Sequence, residues 1–199
     1  ILLILILAEF SFSFNQYLHS PLDGDMANII VPAKGYQQVL DDPFGFSALI
    51  DGDKYAEPNR FFAHWSMRNY MLYMPQLLQY FVEPLTSLYL SIGVFKLFNH
   101  LFMAGLIASF ISGFSKFFSV NFLLSLFLIS PLFQTGGFDG QMAIIYHSTT
   151  YTFFYAFPLL LLLFLLRPFY KNLSSKKSKL STLQIIGTLL LTFITAFNG

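Results

Sequence analysis

Leu22-Asp23-Gly24-Asp25 sets two carboxylates two residues apart on a glycine turn. Such a pair can share a divalent cation, Mg or Mn, through Asp23 and Asp25 together. Alternatively, one of them acts as a general base while its neighbour positions the cation or raises its pKa. The same residues also read as a helix N-cap and a turn, because Asp and Gly are favoured at both. Arg60, His64 and Arg68 follow at i, i+4 and i+8. One helical face then presents two guanidinium groups and an imidazole, which suits a phosphate or a lipid headgroup. The competing reading is snorkelling of these side chains from an interfacial helix to lipid phosphates. Lys96 and His100, four apart, lie inside an apolar stretch. An ionisable group in mid-bilayer costs roughly 2.5–3.5 kcal/mol on insertion scales, so this pair is expected to face protein or a water-filled cavity. Asp139 sits between glycines with Gln134, Gln141, Tyr146 and His147 nearby; glycine backbone admits close approach of a ligand, and a plain turn is the other reading. Asp51-Gly52-Asp53 repeats the acidic pattern before Lys54 and reads as a hairpin or loop tip. Asp41-Asp42-Pro43 reads as a helix stop.

Composition sets the medium in which these groups must work. Of the 199 residues, 55% are hydrophobic and only 11% charged, with 26 phenylalanines and a mean hydropathy of +0.61. A soluble domain carries roughly 25% charged residues. The balance excludes an ordinary water-soluble enzyme and is that of a polytopic membrane protein. The net charge of +1 and the absence of a basic cluster interleaved with aromatics exclude a nucleic-acid partner. With no cysteine, disulfides, thiol chemistry and Cys-ligated metals are removed together. The chain has no HExxH, GxGxxG, Walker lysine or GxSxG, which leaves hydrolase, nucleotidase and zinc-protease readings without support.

The apolar runs give an all-α fold class: a polytopic transmembrane helical bundle with a large outward loop that contains juxtamembrane helices. Residues 1–14 are the end of a first span, 15–84 the outward loop, and 85–199 hold four more spans at about 85–113, 117–134, 150–166 and 182–199. The first run covers about 21 Å of a roughly 30 Å hydrocarbon core, and the last is similarly short. The chain therefore reads as cut at both ends. A signal peptide would need a basic n-region and a small-residue cleavage site, which 1–14 lack. Lys116, Arg167, Lys171, Lys176, Lys177 and Lys179 fall in two connections between spans, and these face the cytoplasm by the positive-inside rule. The loop 15–84 carries eight acidic residues against four basic ones and faces the other side. It is too rich in Phe, Tyr, Ile, Leu and Trp65 to be a solvated coil. Helices are expected over Asp25–Leu40, with Pro32 and Gly35 as interruptions, and over Arg60–Val82 at the membrane interface.

This order of parts resembles the membrane glycosyltransferases of the GT-C fold. In that family the first span leads to a large outward loop, an acidic motif lies just before a juxtamembrane helix, and a second such helix precedes the second span. The resemblance covers about residues 1–115. It puts the acidic motif on Asp23 and Asp25, the first juxtamembrane helix near 26–40 and the second near 60–82, with Asp-Gly-Asp in place of adjacent acids. It implies transfer of a sugar from a polyprenyl-phosphate donor on the outer face of a bacterial inner membrane. The residues leave two other classes open. A transporter or flippase would rest on Lys96, His100 and the spans broken at Pro131 and Pro158; a non-enzymatic scaffold would dock a protein partner on the apolar outer loop.

Overall fold

The computed structural model describes residues 1–55, 59–133, 143–174 and 179–198, which are all-helical, with no strand among them. Helix α1 is Leu2–Leu18, which carries the first apolar run four residues past Phe14. The expected helix over 25–40 is two: α2, Gly24–Ile30, and α3, Lys34–Asp41. The break falls at Val31–Ala33 because Pro32 disfavours helical geometry in the residue before it. Asp42 stops α3 and accepts the amides of Phe46 and Ser47, each at 3.0 Å. These contacts start a helix absent from the sequence reading, α4, Phe46–Asp51, which lies between Gly45 and Gly52 in left-handed geometry. Asp51-Gly52-Asp53 is thus a helix end with a glycine C-cap rather than a hairpin.

Helix α5, Phe61–Leu78, stops four residues short of Val82. Helix α6, Pro84–Ile111, starts with proline in the first turn, where its missing N–H costs nothing. Ser119 caps α7, Val120–Ile129, so Phe117 and Phe118 stay outside the helix; Phe118 itself is left-handed at φ 63°. A 3₁₀ turn, Ser130–Phe133, continues α7. Helix α8 runs Thr149–Ser174, eight residues beyond the expected end at 166, and includes Arg167, Pro168 and Lys171. Its second turn, Thr152–Ala156, is a π-helix, ahead of Pro158, which has no N–H to return to the carbonyl four residues back. Helix α9, Thr182–Ala196, begins with a Ser181/Gln184 capping box.

Helix α6 is the axis, packing on α1, α5, α7 and α8. Gly93 lets α1 come close: a Cβ there would lie 2.7 Å from Leu18 Cδ2 and 3.3 Å from Phe14, the small-residue contact common between apolar helices. The rings of Phe110 and Phe114 stand 5.3 and 5.8 Å from Tyr170. This brings the α6–α7 turn, with Lys116, to the same end as Arg167 and Lys171. At the opposite end Phe62 N–H donates to the Phe197 carbonyl at 2.9 Å and Phe44 packs on Phe197 at 5.0 Å, so α2 to α5 gather there. Among the described residues, two helices, α6 and α8, are long and apolar enough to cross a membrane. Apolar faces are exposed elsewhere too; α9 buries none of its described residues, with Leu183 80% exposed.

Candidate functional site

The Asp-Gly-Asp turn divides into two different environments. Asp23 is the N-cap of α2: its Oδ1 accepts the Met26 amide at 2.8 Å and the Thr150 hydroxyl at 2.6 Å. Its Oδ2 accepts the Ser148 hydroxyl at 2.8 Å and the Thr150 amide at 3.1 Å. One carboxylate therefore caps α2 and ties it to the start of α8. Partial burial pushes the Asp23 carboxyl upward, but these hydrogen bonds from Thr150, Ser148 and Met26 together outweigh it and hold the pKa below the usual Asp value. Lys96 completes the clasp from α6. Fully buried, its Nζ donates to Ser20 Oγ at 2.8 Å and to the carbonyl of His147. Segments 20–23 and 147–150 are thus held by one anion and one cation.

Asp25, in the first turn of α2, turns the other way and lines a cleft of about 80 Å³ between α2, α3, α5 and α8. Facing it are Arg60 and His64 from the start of α5, Tyr36 from α3, and Tyr151 and Tyr155 from α8, with Ile29 and Phe154 as apolar wall. Two groups of candidates far apart in the chain meet here. Burial of Met26 and Ile29 on one side and Ala63, Met67 and Met71 on the other in a shared core holds α2 against α5. Arg60 Cζ lies 5.6 Å from the Phe154 ring centre, a cation–π distance. The buried His64 ring is flanked by Tyr36 and Phe154, each centroid 4.9 Å away. The π turn of α8 supplies Phe154 and Tyr155, and such turns are frequent at functional sites. A carboxylate, a guanidinium and three phenol rings around one polar cleft can bind a phosphate next to a hydroxylated group.

Other sequence candidates fall elsewhere. Arg68 is two turns further along α5, about 12 Å away by helix rise, half-buried, and outside the cleft. A cation shared by Asp23 and Asp25 does not fit this geometry: both oxygens of Asp23 are occupied by protein donors. No group of three His, Cys, Asp or Glu able to hold a metal occurs among the described residues. The same saturation corrects Asp23 as a candidate base and makes it the cap that the turn reading described. Lys96 sits level with Ser20, just past the end of α1, and near the middle of α6. His100 lies one turn deeper. Asp139 is outside the described residues.

Tyr36, Tyr151, Phe154 and Tyr155 were not singled out from the sequence; in a chain with 26 Phe and 11 Tyr no local pattern marks them. Glu9 was also missed, as the one charge within the first apolar run. Compared with protein-family models, with curated proteins and with solved structures, the chain matches none.

Proposed function

We propose that this chain is the outward-facing catalytic portion of a GT-C-like membrane glycosyltransferase, with Asp25 as the general base. The observation that carries this reading is the convergence of Asp25 with Arg60 and His64 in one cleft at the acidic end of the bundle. In the proposed arrangement α1, α6, α7, α8 and α9 are multi-pass spans in a bacterial inner membrane, and residues 15–84 lie on its outer face. The exposed leucines and phenylalanines of these helices then face acyl chains. The lysine and arginine connections lie in the cytoplasm, as the positive-inside rule requires.

Arg60 would hold the phosphate of a polyprenyl-phosphate sugar, with its own charge partly shielded from water by Phe154. An acceptor hydroxyl attacks the anomeric carbon, the bond from that carbon to the phosphate oxygen breaks, and the polyprenyl phosphate departs with the electron pair. Asp25 accepts the proton the hydroxyl loses. No cation is needed in this scheme, since Arg60 supplies the positive charge.

Donor binding tests the reading. A polyprenyl-phosphate sugar titrated into the purified full-length protein should bind at least about tenfold more weakly to Arg60→Gln, as expected for loss of a charged hydrogen bond. Arg68→Gln, outside the cleft, should leave binding within about twofold. Equal affinities for wild type and Arg60→Gln would rule the assignment out.

A further inference from the structure

A second concavity lies at the far end of the bundle from the cleft, and nothing in the proposed sugar transfer uses it. It is a groove of about 310 Å³ between α6 and α8, walled by Leu101, Phe102 and Phe164. Its end nearest the α6–α7 turn carries Phe117 and Arg167. Gly105 also lines it, and two glycines of α6 differ here. At Gly93 the place of a side chain is taken by Leu18 and Phe14, whereas a Cβ at Gly105 would meet nothing within 4 Å. Glycine is disfavoured inside a helix, and no neighbouring helix uses the space that Gly105 leaves. That space belongs to the groove.

Charge says what fills it. Thr150, at the cleft, and Arg167 are seventeen residues apart on α8, about 25 Å by helix rise, which is close to the roughly 30 Å of a hydrocarbon core. On the topology proposed above, half-buried Arg167 stands near the cytoplasmic headgroups, with exposed Lys116 and Lys171 at the same end. Helices α6, α7 and α8 contain no Asp or Glu, so the elements that build the groove bring no carboxylate to this guanidinium. An apolar partner helix seated here would leave Arg167 without an anion in a dry contact, a costly state. A free phosphate would satisfy Arg167 and leave the Leu and Phe walls empty. A molecule with a hydrocarbon chain and a phosphate satisfies both, because the planar fork of Arg matches phosphate oxygens. Basic pockets between spans on the cytoplasmic side bind lipid headgroups in this way.

We propose that the α6–α8 groove binds one anionic glycerophospholipid of the cytoplasmic leaflet. One acyl chain lies along Gly105 between Phe102 and Phe164, and the phosphate sits on Arg167. Lys116 and Lys171 add an attraction for a headgroup with net negative charge. The site rests on the membrane topology and not on the sugar transfer. Because the lipid touches both α6 and α8 only when they are packed together, it stabilises the folded bundle by mass action.

The test is native mass spectrometry of the purified full-length protein in detergent, titrated with phosphatidylglycerol or with phosphatidylcholine of the same acyl chains. The donor is absent, so a failure of sugar transfer leaves the result standing. We expect one phosphatidylglycerol per chain, bound at least about tenfold more tightly than phosphatidylcholine, as for a charged contact, and a thermal midpoint that rises with its concentration. Arg167→Gln should lower the phosphatidylglycerol affinity to that of phosphatidylcholine. Gly105→Leu fills the groove from the α6 side and should weaken both lipids by at least about tenfold. If Gly105→Leu does not fold, Arg167→Gln decides alone. Glycerol 3-phosphate, which lacks the acyl chains, should not displace the lipid. Equal affinity of the wild type for the two lipids, or unchanged phosphatidylglycerol binding in Arg167→Gln, would overturn the proposal. A lipid-free dimer that Gly105→Leu abolishes would give the groove to a second copy of the chain and overturn it equally.

Discussion

Two regions that meet at Thr150 handle the same kind of group in opposite ways. In the clasp, Asp23 has four donors on its two oxygens, and Lys96 is buried with its ammonium spent on Ser20 and His147. In the cleft, Asp25, two residues on, is exposed and faces Arg60 across open space. A carboxylate surrounded by matched donors is stabilised in its charged form and has no lone pair left for a substrate's proton. One that lines a cleft keeps that capacity. The difference between the regions assigns architecture to the first and chemistry to the second, although residue type and spacing alone make the two acids look equivalent.

The contrast can be broken most forcefully at Asp23. Replacing it with Ala removes the α2 cap and leaves the Thr150 amide and the Thr150 and Ser148 hydroxyls without their acceptor. We expect a loss of about 3 kcal/mol, at the upper end for hydrogen bonds to a charged group, read as a fall in the thermal midpoint of purified protein in detergent. The pH dependence should follow. Because the folded Asp23 carboxyl sits below its unfolded value of about 3.9, its contribution is complete above the ordinary carboxylate range. It is lost as pH falls through the lowered folded value. Asp23→Asn should flatten this part of the acid limb of the stability profile.

A second change sharpens the contrast between clasp and cleft by moving α1. Gly93→Val places methyl groups where Leu18 and Phe14 already stand, and overpacking of this kind costs about 2 kcal/mol. Gly93→Ala should cost clearly less, since the nearest atom is the end of the Leu18 side chain and can rotate. The same midpoint measurement separates the two. The smallest effect belongs to Ser148→Ala. Its hydroxyl both donates to Asp23 and accepts the Tyr151 amide at 3.1 Å, and loss of an N-cap costs about 1 kcal/mol. Equal midpoints for Ser148→Ala and wild type would mean that the clasp does not hold α8.

The helical class and most helix positions were legible in the sequence, because periodicity, capping residues and prolines act locally. Pro32 divided α2 from α3 as its chemistry requires, and the Arg60–His64 spacing did put both side chains at one cleft. The partners of Asp23 were not legible. Ser148 and Thr150 lie 125 and 127 residues away, and no local rule links such distant positions. Nor did the motif show that its two acids face opposite ways, since that depends on how α2 packs against α5 and α8. Glu9 was hidden for another reason: one charge in a fourteen-residue, mostly apolar run does not disturb a hydropathy reading, and its position opposite His100 appears only in the fold. Phe117 and Phe118 misled because apolar character favours a span, whereas the Ser119 cap starts α7 after them.

Sugar transfer from a polyprenyl-phosphate donor, measured on the full-length protein with Asp25→Asn and Asp23→Asn side by side, tests the division between cleft and clasp most directly. Asp25→Asn should lower the rate by about 10²–10⁴-fold, the usual effect of losing a general base, at an unchanged thermal midpoint. Asp23→Asn should lower the midpoint and retain a rate within about tenfold of wild type per folded molecule. A wild-type rate in Asp25→Asn, or a collapse of rate in Asp23→Asn at full folding, would contradict the assignment of catalysis to the cleft.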